Sequence, residues 1–136
     1  MPTDEELTVY TILHDNWNAA TVAEPTFYYD DSIRDHDYRT KNAVKIYFVD
    51  QTERPIGLGY TSKATESRVT VDFRGAKRDT VLKIRDEAIR CLDLKRKAPA
   101  TGYDMLVHDG GMKHAGYSDF YHFTIDCKLI QHAKAI

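Results

Sequence analysis

Between Ser67 and Leu94 the chain reads SRVTVDFRGAKRDTVLKIRDEAIRCLDL, and its hydrophobic period changes once, from two to about 3.6. Val69, Val71 and Phe73 alternate with Thr70, Asp72 and Arg74, the pattern of a strand with one buried face. After Gly75, Val81, Ile84, Ala88 and Leu92 recur at helical spacing, with Leu82, Ile89 and Cys91 beside them. A strand that turns into an amphipathic helix buries both apolar faces only where sheet and helix share a core. The turn itself carries no phosphate loop, nucleophile elbow or metal-ligand spacing. This segment therefore constrains architecture and leaves the chemistry open.

Other elements follow from the same patterns. Thr3 and Glu6 form a capping-box signature, and Asp4 and Glu5 suit the positive end of a helix dipole. Val9, Leu13, Trp17 and Ala20 lie on one face, so a helix is predicted over about 4–20, with Tyr10 and Ile12 on its flanks. Pro25 ends that segment, and a short strand is predicted over Thr26–Tyr29. A second runs over Ala43–Asp50, where Val44, Ile46 and Phe48 face one way, and Gln51–Pro55 reads as a turn. Ile56–Tyr60 is a strand fragment weakened by two glycines. The second helix spans about Asp79–Lys95, with Asp79 as N-cap, cations at its C-terminus and Pro99 beyond. Tyr103–His108 is a strand, Asp109–Tyr117 a loop, and Tyr121, Phe123, Ile125, Cys127 and Leu129 mark a long final strand. The order predicts a single α+β domain over 1–136, a mostly antiparallel sheet with two helices packed on one face.

Composition sets bounds on function. The 136 residues are enough for one domain with a core of its own. A formal charge of -2 gives no global pull toward nucleic acid or an anionic membrane. No apolar run approaches the ~18–20 residues that span a bilayer. The acidic start, MPTDEELTVY, lacks the basic and apolar regions of a signal peptide, which predicts maturation in a cytoplasm. Cys91 falls in the helical pattern and Cys127 on an apolar strand face, so both are expected as reduced core thiols.

Catalytic signals stay at background. Tyr28–Asp37 packs Asp30, Asp31, Asp35, Asp37 and His36 together, an oxygen-rich run of the kind that can hold a divalent cation. It lacks the spaced oxygens and central glycine of a calcium loop and reads first as a solvated turn. The six histidines show no ligand spacing; His108 beside Asp109 is a candidate acid–base pair without a nucleophile. Neither metal nor cofactor is expected. The second helix is locally basic (Arg78, Lys83, Arg85, Arg90), offset by its own acids, with Glu87 three residues before Arg90. Tyr60, Met112 and Tyr117, in glycine-bearing segments, suit interfaces.

VTVDFRG followed by RDTVLKIRDEAIRCLD, a Tyr-containing strand, a glycine loop and the final YHFTIDCKLI together resemble the tail terminator proteins of long-tailed bacterial and archaeal viruses. The resemblance runs from the helix with Leu13 and Trp17 through PIGLGY to the last strand. It implies a neck component of the virion, assembled in the host cytoplasm, without catalysis or cofactor. It implies a ring of self-contacts, typically six subunits, that caps the tail tube protein, stops its polymerisation and meets the head–tail connector. No membrane and no specific nucleic-acid partner enters. Candidate contacts are Gly57, Leu58, Gly59 and Tyr60, the loop with Met112 and Tyr117, and Arg78 and Arg85 on the basic helix. Two other classes stay open: a monomeric or dimeric module binding a host partner, and a small metal-dependent enzyme using Asp30–Asp37.

Overall fold

The computed structural model describes residues 3–29, 42–56, 62–100, 103–109, 113–117 and 121–135. The elements run α1 (Asp4–Asn16), β1 (Thr26–Tyr29), β2 (Ala43–Ile56), β3 (Ser62–Gly75), α2 (Arg78–Leu94), β4 (Lys97–Ala100), β5 (Tyr103–His108), β6 (Lys113–Tyr117) and β7 (Tyr121–Ala135). Among the described residues the strands form one sheet in the order β1-β2-β3-β7-β5-β4, with β6 also on β7. All pairings are antiparallel except β1 on β2. The expected α+β class is observed, with the parallel edge strand as the exception.

The core forms because apolar side chains fall in register across the three long strands. Val44, Phe73 and Phe123 make one cross-strand row; Ile46, Val71 and Ile125 the next; Phe48, Val69 and Cys127 the third. Leu129 extends the layer and pairs with Leu106. Val9, Ile12 and Leu13 from α1, and Val81, Ile84, Ala88, Cys91 and Leu92 from α2, cover that face. Each large side chain among them, fully buried, contributes roughly 1.5–3 kcal/mol.

Several boundaries differ from the sequence pattern. The first helix ends at Asn16: Trp17 is extended, and the Arg90 guanidinium takes the Asn16 carbonyl at 2.6 Å. Ala20 is exposed in the turn beyond. The second helix starts at Arg78 with Lys77 as N-cap, so Asp79 lies inside the first turn and does not cap it. Gln51–Pro55 is not a turn but strand, paired with Ala64–Ser67 and Lys63. A register shift between Phe48 and Asp50 accommodates Val49 as a bulge, and beyond it Asp50 pairs opposite Arg68 on the polar face. The segment 109–117, read as a loop, contains β6, and β4 occupies Lys97–Ala100, just past the expected helix end, where the sequence pattern predicts no strand.

Candidate functional site

No helix covers the second face of the sheet among the described residues. Strand alternation places Lys45, Tyr47, Thr70, Asp72, Arg74, Thr124 and Asp126 there, opposite the core rows. The array is paired internally. Arg74 Nη2 donates to Asp72 Oδ2 at 3.0 Å, the Thr70 hydroxyl to Asp126 Oδ1 at 3.0 Å, and Lys45 Nζ stands 5.3 Å from the Tyr47 ring centroid. Asp72 is only 2% exposed although no described helix lies above it. Burial, then the nearby Asp72 carboxylate, pushes the Tyr47 phenol up. Further along, Arg68 forks onto Asp50 with two 2.9 Å bonds, and a hollow of about 260 Å³ opens beside Arg68, Val107, Asp126 and Lys128.

Past the core, β2, β3 and β7 continue together as a three-stranded tongue: Ile56 pairs with Ser62, and Ser62 with Ala135. Among the described residues, β1 accompanies β2 only to Ile46 and β5 accompanies β7 only to Ile130. Where β1 stops, a carboxylate oxygen of Glu6 takes the Phe48 N–H at 2.9 Å. The same carboxylate completes the capping box, accepting from Thr3 N at 2.7 Å while Glu6 N donates to the Thr3 hydroxyl.

The outer flank of α1 faces the α2–β4–β5 corner across a groove of about 610 Å³. Asp4, Leu7, Thr8, Thr11 and Asp15 form one wall; Lys95, Pro99 and Tyr103 the other, with Gln131 between. Leu7 is 42% exposed there. Burial and the Glu5 and Asp4 charges raise the Tyr103 phenol.

Arg78 stands exposed at the start of α2. Arg85 is buried beside Asp86, its Nη1 3.1 Å from Oδ1. Gly57, Leu58, Gly59, Tyr60 and Met112 lie outside the described residues, as do Asp30, Asp31, Asp35 and Asp37. For Tyr117 only the backbone is described, opposite Tyr121 in β6. His108 meets Asp93 of α2, Nε2 to Oδ1 at 2.7 Å, and its buried Nδ1 has no hydrogen-bond partner. His108 holds the Asp93 carboxyl below its usual range. Both cysteines are free and buried; burial pushes the Cys91 thiol to about 12 and Cys127 also upward, so neither is a ready thiolate. Among the described residues no group of three or more His, Cys, Asp or Glu is placed to hold a metal ion. The strand pattern anticipated the polar face residue by residue, whereas the groove joins α1 to a corner that carries no periodic signal.

No protein-family model matches the chain, and no curated protein matches it. Among solved structures it is similar to the sheath/tube terminator of PVC, an extracellular contractile injection system, in its extended state, with TM-score 0.49 and 10% identity. The match covers 98% of this chain and 58% of that one, so the chain spans little more than half the length of that protein.

Proposed function

We propose that this chain is a structural subunit of a virus-type tail, forming a ring that seats on the tail tube, ends its growth and joins it to the head connector. One observation carries the reading. A sheet sealed by helices on one face bears a self-paired polar array on the other, and three of its strands run on past the core as a tongue. A ring subunit needs a face that tolerates a water-filled channel, and Lys45, Arg74 and Asp126 supply charge across the middle of this one, with Met105 and Val107 exposed toward its β5 side. It also needs backbone that reaches neighbours, which the tongue offers. The sequence resemblance to tail terminators supplies the identity of the neighbours and the expected sixfold count. No catalytic step is part of this role.

Electron microscopy of particles labelled with an antibody to this protein tests the assignment. Label at the head–tail junction is expected. Particles free of label, with the protein abundant in the producing cells, would remove the structural role.

A further inference from the structure

The two helices of this chain differ in how they treat their own dipoles. α1 opens with a capping box and three acids in its first turn. α2 opens with Lys77 at the N-cap, with no side-chain cap, followed by Arg78, and both stand exposed. Cations at the positive end of a helix are unfavourable, and Asp79 is the single acid in that turn. A second mismatch closes α1, where Asp15 lies against the negative helix end and lines the groove with Asp4. Among the described residues neither Lys77 nor Arg78 has an ion-pair partner, and neither has Asp4 or Asp15. A residue choice that breaks a local rule without compensation among the described residues points to a contact beyond them.

We infer that the Lys77–Arg78 turn of one copy docks in the Asp4–Asp15 groove of the next. The geometry separates the two surfaces as such a contact requires. Lys95, which follows the last residue of α2, lines the groove, whereas Lys77 precedes the first; seventeen helical residues put about 25 Å between them. A contact between different surfaces at opposite ends of one rigid helix is head-to-tail, so it propagates and closes into a ring where the rotation allows. Lys95 contributes a like charge at the groove's edge and orients the incoming cations toward Asp4 and Asp15, while exposed Leu7 gives the stem of Arg78 an apolar surface. This deepens the ring reading and rests on it.

Two single variants test the contact, and both improve their own helix dipole: Arg78→Glu and Asp15→Lys. The melting temperature of each is expected to stay level or rise, which separates lost docking from lost folding. Sedimentation at low salt is expected to show self-association weakened by about tenfold or more in each variant alone. An equimolar mixture restores it. In an alternating ring every second contact sets the R78E turn against the D15K groove, an opposite-charge pair with its signs exchanged, and the contacts between keep the wild-type Arg78 and Asp15. Undiminished association of both variants, or no rescue on mixing, would overturn the contact. So would a wild-type chain that stays monomeric at about 1 mM in low salt. Junction labelling of particles is read separately, so a failed contact leaves the tail role standing, and a failed label leaves the contact standing.

Discussion

Glu87 shows how one residue fastens two helices. Its side chain is 2% exposed, yet it carries a charge, because it accepts from the Asn18 backbone at 2.9 Å and from the Arg90 guanidinium at 2.9 Å through Nε. Arg90 reaches on to the Asn16 carbonyl, so the end of α1 is closed by α2. Removing the carboxylate takes the acceptor from the Asn18 N–H and the partner from Arg90 at once; Glu87→Ala is expected to cost about 2–3 kcal/mol in urea unfolding. The Arg90 hydrogen bond holds the Glu87 carboxyl below its usual range. A depressed folded pKa means the stabilisation is present above the unfolded value of 4.5 and is lost as pH falls through the folded one. The gap in stability between wild type and Glu87→Gln should therefore narrow on acidification below about pH 4. A gap that stays constant down to about pH 2 would remove the charge from the account. At Gly75 the constraint is space: an added Cβ would stand 2.5 Å from Asn42 Oδ1 and 2.7 Å from Val81 Cγ2. Gly75→Ala is expected to cost about 1–3 kcal/mol by overpacking, read as a lowered urea midpoint at unchanged slope.

At the scale of elements, the join between α1 and β2 is the informative one. Among the described residues β1 pairs with β2 as far as Ile46, the bulge at Val49 turns the strand, and Glu6 serves as acceptor for the Phe48 N–H. Glu6→Ala removes the capping box and that acceptor together, so about 1–3 kcal/mol is expected, with Glu6→Gln recovering part of it; equal losses in both would mean the hydrogen bonds are not the cause. The half of β2 before the bulge was legible because Val44, Ile46 and Phe48 alternate against a helix layer. The half after it was not. Gln51, Thr52 and Glu53 are exposed polar residues that resemble a turn, and only pairing with β3 makes them strand. β4 escaped for a related reason: Lys97 and Pro99 are poor strand formers, and the pairing of Lys97 and Ala100 with β5 makes the stretch a strand. α2, with Val81, Ile84, Ala88 and Leu92 at one spacing, was legible almost to its last residue. The site followed the same division. The polar face could be read from Thr70 and Asp72 alternating with the core, whereas Asp93 as the partner of His108 needed the fold to bring α2 and β5 together.

For the whole molecule, the apolar core and the tongue proposed to meet neighbours occupy different regions of the same three strands. The apolar rows end at Phe48 on β2, Val69 on β3 and Leu129 on β7, while the tongue beyond them contributes Ala64, Thr65 and Ser67 as its buried residues among those described. Deleting Glu53–Thr65 and joining Thr52 to Glu66 through Asn-Gly would keep every core row, since those residues are already opposite each other and a two-residue turn suits that register. The shortened chain is therefore expected to fold with a melting temperature within about 3–4 °C of wild type, the shift that roughly 1 kcal/mol makes in a domain of this size. The contacts that the tongue makes with the tube and with neighbouring copies should fail, because the strand edges that leave the core are gone, while the Lys77–Arg78 turn and its groove stay intact. In cells producing tails, that separates the two roles in one image: the wild type gives tubes of uniform length, and the shortened chain gives tubes that overgrow, as with no terminator at all. Uniform tubes made with the shortened chain would mean the tongue is an ornament of the fold, leaving the helix contact inferred above and the polar face as the assembly surfaces.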